Sequence, residues 1–236
     1  MNILITGGGC REAIDNVRCV TNTSTGRTSS VIADYFVSRG ANVTLLAAAT
    51  AIKPRSDCRV RTFVNGEDLG NLLQQELSTT DYDMVIHAAA VSDFVPQTII
   101  MDGVEVPAGP EGKIPSGSSM TITFRAAPKL ADRLKGWAKA AGRKLPVVVC
   151  FKLTSGAAAE KVQSACRAIL ERGAADFVVA NDILHITGDR HPFAVNTMQD
   201  GQLVAILHGS SEEEMASILF GLAQEAASAD SATKHH

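Results

Sequence analysis

Six short apolar runs constrain this chain more than any other feature: NILIT (2–6), NVTLLA (42–47), RVRTFV (59–64), DMVIHA (83–88), PVVVCF (146–151) and DFVVA (176–180). Most are continuous rather than alternating, the pattern of strands covered on both faces. Between them the apolar residues fall at helical spacing. Val31, Ile32, Tyr35 and Phe36 share one face, and Gly40 stands where a helix C-terminus needs positive φ. Leu69, Leu72, Leu73 and Leu77 make a second face. Leu130, Leu134, Trp137 and Ala141, with Pro128 near the first turn, make a third, and Val162, Cys166, Ile169 and Leu170 a fourth. Ser211-x-x-Glu214 reads as a capping box before Met215, Ile218, Leu219 and Leu222. Strand alternating with helix over short joins predicts an α/β fold, a Rossmann-like, doubly wound, mostly parallel sheet. The length of 236 residues fits one domain over 1–226, with 227–236 as a flexible, solvated tail.

One region breaks the rhythm. Residues 95–125 carry four prolines and several glycines among short β-like pieces. IIMDGVEV reads as a hairpin turning at Asp102-Gly103, and MTITF as a further strand. So long an excursion inside an α/β domain is a flap, an interface, or both.

The balance of charges, a net −3, argues against a nucleic-acid partner, which calls for a basic stripe. No apolar stretch is long enough for a membrane span, and Met1 leads directly into the first strand without a signal-peptide pattern. The cysteines, Cys10, Cys19, Cys58, Cys150 and Cys166, form no CxxC pair and are odd in number, which suits reduced thiols in a cytoplasmic protein. His87, His185, His191 and His208 lack metal-ligand spacing, so no resident metal is expected.

Several strand ends carry chemistry. TGGGCRE (6–12) follows the first strand, where Gly8 and Gly9 would let backbone approach a phosphate. It departs from GxGxxG, and a flexible β–α turn is the plain alternative. Asn22, Ser24, Thr25 and Gly26 precede a helix, where donors and the helix dipole favour an anion. Ordinary N-capping by Ser24 or Thr25 is compatible with that reading. Arg18 adds a cation upstream. HAAAVSDF (87–94) ends a buried strand in small residues, which suit either tight packing or a flat ring set close to the sheet edge. Asp93 could accept from a base or ribose, or cap its turn. Lys152 in FKLT and Asn181 and Asp182 in AND end two further strands. Polar or small groups at four strand ends along one edge are the arrangement of a nucleotide crevice.

In their order along the chain, GGGCREAIDNVRCVTNTSTGR, VIHAAAVSDFVP, GKIPS, KLADRL, FKLT and VVANDI resemble phosphopantothenoylcysteine synthetase, the phosphopantothenate–cysteine ligase family, up to about residue 208. The resemblance implies a ligase of coenzyme A biosynthesis. Its substrates would be 4′-phosphopantothenate, cysteine and a nucleoside triphosphate. The carboxylate would be activated as an acyl-nucleotidylate and then attacked by cysteine's amine. It further implies that Asn22 holds the reacting carboxylate and the acyl-phosphate, with Arg18 ordering its loop. Lys113 would be a flap lysine closing over the intermediate. Gly8, Gly9, Ala89, Asp93, Phe151 and Lys152 would contact the nucleotide, and Ala89 also the substrate. Mg²⁺ would accompany CTP or ATP, and a flap that crosses to a second subunit would make a homodimer. The chain resembles the stand-alone form rather than a fusion to a decarboxylase. Two departures leave CTP and ATP both open. Lys113 is followed by Ile114, Pro115 and Ser116 rather than by more lysines, and a lysine pair expected before AND has no match near Ile169 and Gly173.

Two other readings compete. A short-chain dehydrogenase shares TGGG and HAAA but needs Tyr-x-x-x-Lys, whereas Tyr35 and Tyr82 are followed four residues on by Arg39 and Ile86. A non-catalytic nucleotide-binding protein would have no need for Asn22 and Lys113 together.

Overall fold

The computed structural model describes residues 1–111, 113–114 and 119–233, with side chains described to residue 228. Gly112, Pro115 and Ser116 of the GKIPS motif, and the last three residues of the expected tail, lie outside them. In chain order the elements are β1 (Asn2–Gly7), β2 (Arg11–Ala13), β3 (Cys19–Thr21), α1 (Arg27–Val37), β4 (Asn42–Ala48), β5 (Arg59–Phe63) and α2 (Gly66–Thr79). There follow β6 (Met84–His87), β7 (Phe94–Met101), β8 (Val104–Pro107), β9 (Met120–Ala126), α3 (Leu134–Ala140), β10 (Val147–Thr154) and α4 (Ala159–Glu171). The chain closes with β11 (Phe177–Asp182), β12 (Phe193–Gln199), β13 (Gln202–Gly209) and α5 (Glu212–Thr233).

Eight strands form one sheet in the order β13-β12-β11-β10-β6-β1-β4-β5. Every neighbouring pair from β11 across to β5 is parallel, as the continuous apolar runs predict. Ile3, Leu4 and Ile5 on β1 are wholly buried, so both faces of the central strand are covered. The chain winds outward from β1 through β4 to β5, then returns to lay β6 on the other side of β1. The winding direction therefore reverses between β1 and β6, and their C-terminal ends open a crevice.

The six-strand reading omits β12 and β13, which add an antiparallel hairpin at the sheet edge. β12, FAVNTMQ, is interrupted by polar residues, and β13 does carry an apolar run, Leu203–Leu207, but lies at the open edge of the sheet with no position fully buried. Asp200 and Gly201 both have positive φ at its turn, the same Asp-Gly chemistry as Asp102-Gly103. That second pair turns β7 into β8, and β9 pairs on β7's other edge, which makes the excursion a separate three-stranded sheet.

The helical expectations hold at α1, α2 and α4. The segment at 130–141 instead begins with a tight 3₁₀ turn, Leu130–Arg133, before α3. At the start of α5 Ser211 Oγ accepts from Glu214 N–H at 3.1 Å, while Glu214 reaches back to Ser210 N–H, one residue further than a capping box. The helix then continues to Thr233, past residue 226. No helix among the described residues is long and apolar enough to cross a membrane.

Helices α1 and α5 pack against each other. Phe36 on α1 meets Phe220 on α5 edge-on, with ring centroids 5.2 Å apart, and Phe36 is wholly buried. Arg27 and Glu212, the first residues of the same two helices, also meet. The helices thus run side by side in one direction, with both N-termini at the crevice.

Candidate active site

Between β1 and α1 the chain forms the β2–β3 hairpin and then the loop Asn22–Gly26. Gly26 takes the left-handed conformation, φ 74°, at the N-cap of α1, and no side chain caps the helix. Thr25 Oγ1 accepts only a long 3.3 Å bond from Arg27 N–H. The cap expected from Ser24 or Thr25 is therefore not formed, because a glycine turn enters the helix instead. First-turn N–H groups without a side-chain cap remain available to an outside acceptor. That turn and the Asn22 loop line a cavity of about 580 Å³.

Its opposite wall is the end of β6, Ala88 to Ala90, together with Phe151 from β10 and Asn181 from β11. Asn22 is exposed, and its Nδ2 reaches across to Val91 O at 3.4 Å. A second cavity, of about 240 Å³, adjoins the first; Asp93, Lys129, Lys152 and Arg172 line it. Ala89, Ala90, Phe151 and Leu153 line both. The small residues of HAAA thus form the partition between the two spaces, which a larger side chain would narrow.

Of the residues singled out from the sequence, Asn22, Ala89, Asp93, Phe151 and Lys152 come together on these two cavities. Asp93 is already paired with Lys129. Gly8 and Gly9 line neither cavity and serve packing. A Cβ on Gly9 would collide with the carbonyl of Asn22, and one on Gly8 with Ala48 and Ala51. Asp182 is half-buried and engaged locally, accepting from Thr154 Oγ1 at 2.8 Å and Leu184 N–H at 3.0 Å. Hydrogen bonds from the Gly156 backbone and from Thr154 bring its carboxyl down to about 2.

Arg18 and Lys113 lie away from the cavities, yet one cluster joins them. Arg18 Nη1 binds Asp15 Oδ2 at 2.7 Å and Ile114 O at 3.3 Å, while Asp15 Oδ2 accepts from Ile114 N–H at 3.1 Å. Burial raises the Asp15 carboxyl, but the backbone N–H groups of Val17, Arg18 and Ile114 and the Arg18 charge outweigh it and hold it below its usual value. Lys113 is exposed and is the residue just before this clasp.

Three residues not singled out as site residues also line the larger cavity: Arg27, the last residue of the GGGCREAIDNVRCVTNTSTGR motif, His191 and Glu212. Glu212 accepts from Arg27 Nε at 2.8 Å and Thr28 Oγ1 at 2.7 Å, with His191 Nδ1 at 3.7 Å. Burial pushes its carboxyl up, but the nearby His191 ring and the bonds from Thr28 and Arg27 win and hold it at about 2, so it stays ionised. Asn181 Nδ2 lies 2.7 Å from His191 Nε2. Only Arg27, immediately after the Asn22–Gly26 loop, had a signal in the sequence. In the smaller cavity Arg172, three residues beyond Ile169, supplies a cation close to where the expected lysine pair is missing.

Residues 1–225 match the family described as the DNA/pantothenate metabolism flavoprotein C-terminal domain, and the chain belongs to that family. It is 33% identical over 183 residues to the coenzyme A biosynthesis bifunctional protein CoaBC of Thermococcus kodakarensis, covering 77% of this chain and 41% of that one. Against the CoaBC of Mycobacterium bovis the identity is 30% over 219 residues, covering 88% and 48%. The chain thus spans about half or less of these curated relatives. Among solved structures it resembles the DNA/pantothenate metabolism flavoprotein from Streptococcus pneumoniae, with TM-score 0.80 and 27% identity over 95% of this chain and 99% of that one. A Cab2 mutant in complex with phosphopantothenate-cysteine shares the fold, with TM-score 0.74 and 18% identity over 98% and 88%.

Proposed function

We propose that this member of the DNA/pantothenate metabolism flavoprotein C-terminal family is a phosphopantothenate–cysteine ligase of coenzyme A biosynthesis. The observation that carries this reading is the pair of adjoining cavities at the β1/β6 reversal, with Asn22 facing Ala89 and Phe151 in one and Asp93 and Lys152 in the other. The relatives' role in coenzyme A biosynthesis supports it.

In the first step a carboxylate oxygen of 4′-phosphopantothenate attacks the α-phosphorus of CTP or ATP, and pyrophosphate leaves. Both reactants are anions, so they need donors and cations that offset their repulsion. The Asn22 amide would donate to the carboxylate and to the phosphate it joins, without a charge that would trap either. The open first turn of α1 adds backbone N–H groups beside it. Ala89, Asp93, Phe151 and Lys152 would contact the nucleotide, and Ala89 also the substrate. Gly9 would act by letting the carbonyl of Asn22 pack against it, and Gly8 by close packing on Ala48 and Ala51. In the second step the cysteine amine attacks the acyl carbon and nucleoside monophosphate leaves, with water kept out.

Arg18, through Asp15 and Ile114, would fix the flap that carries Lys113. Lys113 lines neither cavity of its own chain, which fits a flap that covers the site of a second subunit in a homodimer. Among the described residues no group of His, Cys, Asp or Glu is arranged to hold a metal, so Mg²⁺ would arrive on the triphosphate.

The test is pyrophosphate release with phosphopantothenate, Mg²⁺ and CTP or ATP. It is expected without cysteine for one turnover per site, with amide formed once cysteine is added. Reduction of a carbonyl substrate by NAD(P)H without any ligase activity would overturn the assignment.

A further inference from the structure

Thr6, His87 and Cys150 stand in register on the neighbouring strands β1, β6 and β10. Paired positions of parallel strands share a face, so the three side chains form a row across the sheet. His87 and Cys150 line the smaller cavity, and Thr6 is wholly buried beside them. Thr6 Oγ1 accepts from Ala89 N–H at 3.1 Å and lies 2.9 Å from His87 Nδ1.

The direction of that second bond follows from bookkeeping of protons. A buried hydroxyl needs an acceptor for its own hydrogen, and His87 Nδ1 is the partner in reach among the described contacts. Nδ1 is then the bare nitrogen and Nε2 carries the hydrogen, because the bond made by one ring nitrogen sets the state of the other. With Nδ1 turned to Thr6, the Nε2 edge is what the ring presents to the cavity. Burial lowers the His87 imidazole to about 4 and raises the Cys150 thiol to about 12, so both are uncharged at neutral pH.

The smaller cavity therefore has two ends. His87 and Cys150, 8% and 4% exposed, form an uncharged floor, while the ion-paired side chains of Lys129 and Arg172, 58% and 42% exposed, stand at the rim. A ligand with a flat, uncharged end and an anionic end fits this polarity, base inward and phosphates outward.

We propose that His87 binds the nucleobase, its Nε2–H donating to an uncharged acceptor on the ring, and that Thr6 is the positioning residue that holds this tautomer. The hydroxyl of Thr6 joins the floor to the partition between the cavities: it orients His87 and holds Ala89 through its N–H. The inference rests on the ligase reading only in taking the ligand to be a nucleotide.

The experiment is NMR of the full chain labelled with ¹⁵N-histidine, titrated with CTP or ATP in the presence of Mg²⁺, with His87→Gln to assign the ring. The free protein is expected to show His87 protonated at Nε2 alone, and nucleotide should shift that nitrogen. His87→Leu should weaken nucleotide binding on the order of tenfold, the scale of one unmade hydrogen bond, with part of the loss restored in His87→Gln. Thr6→Val should weaken binding less and should leave His87 in a mixture of tautomers, which loss of packing alone would not produce. Nucleotide binding with the His87 nitrogens unmoved, or wild-type affinity in a folded His87→Leu, would overturn the proposal. Failure of both nucleotides to bind at millimolar concentration would remove it together with the ligase reading. Binding that shifts His87 without any pyrophosphate release would sink the ligase reading alone.

Discussion

Asp15 accepts a hydrogen bond from the backbone N–H of Ile114 at 3.1 Å, fastening the β-rich excursion to the segment that leads into Asn22. Ile114 is itself buried, in a small core with Ile14 and Ile99 that is separate from the main one. Arg18 closes the contact from the other side through Ile114 O. The residue adjoining Lys113 is thus held by one carboxylate and one guanidinium.

Asp15→Asn should loosen that clasp, since the amide cannot accept on both sides as the carboxylate does. Hydrogen exchange at the Ile114 amide should speed up on the order of tenfold, the scale of one hydrogen bond. Exchange in β1 and β6 should stay unchanged. Equal acceleration across the central sheet would mean that Asp15 supports the whole fold rather than the flap.

Asn22→Asp should fold normally, because the side chain is exposed and its one described bond, to Val91 O, is long. It replaces a donor by a negative charge facing two anions. Single-turnover pyrophosphate release should fall roughly a hundredfold or more, the scale of losing one oxyanion-type donor. Wild-type rates would return the loop to a helix entry and nothing more. Lys113→Gln should affect amide formation more than pyrophosphate release, and measuring the two steps separately distinguishes the variants.

Acid should destabilise the protein in two stages. The folded His87 pKa, about 4, lies below the unfolded 6.5, so the unfolded chain takes up the proton first. Stability is therefore full above about pH 6.5 and drains as pH falls toward 4, by roughly 3 kcal/mol. Glu212 behaves as a carboxylate with a depressed pKa. Its contribution is present above its ordinary 4.5 and is lost as pH falls toward about 2. Denaturant titrations across pH should show the upper stage vanish in His87→Leu and the lower one in Glu212→Gln. A single stage shared by both variants would refute this division.

The three-stranded flap should hold two chains together. Phe94, Val104, Met120 and Phe124 on its strands are 60%, 64%, 43% and 43% exposed, an apolar set that a lone chain would leave in water. Sedimentation is expected to give a dimer at micromolar concentration, and Phe124→Glu should shift it to monomer with loss of ligase activity. A fully active monomer would sink the idea.

Elements came through in the sequence wherever they depend on near neighbours. A continuous run such as Ile3-Leu4-Ile5 is covered on both faces whichever strands lie beside it, and an Asp-Gly pair turns a hairpin through its own φ angles. Ala89 and Lys152 were legible as residues at strand ends, and Asn22 as a loop residue before a helix, for the same local reason. What the tertiary structure alone decided is which of these ends meet. β6 comes to lie between β1 and β10, which puts His87 beside Thr6, eighty-one residues away. Docking of α5 along α1 carries Glu212 to Arg27. Thr6 opens the TGGGCRE stretch without being singled out, and Glu212 belongs to no motif, because each acts through a partner that is distant in sequence. Gly9 is the clearest case of a local signal with a non-local cause: its missing side chain reads as room for a phosphate, and the fold uses that room for the carbonyl of Asn22.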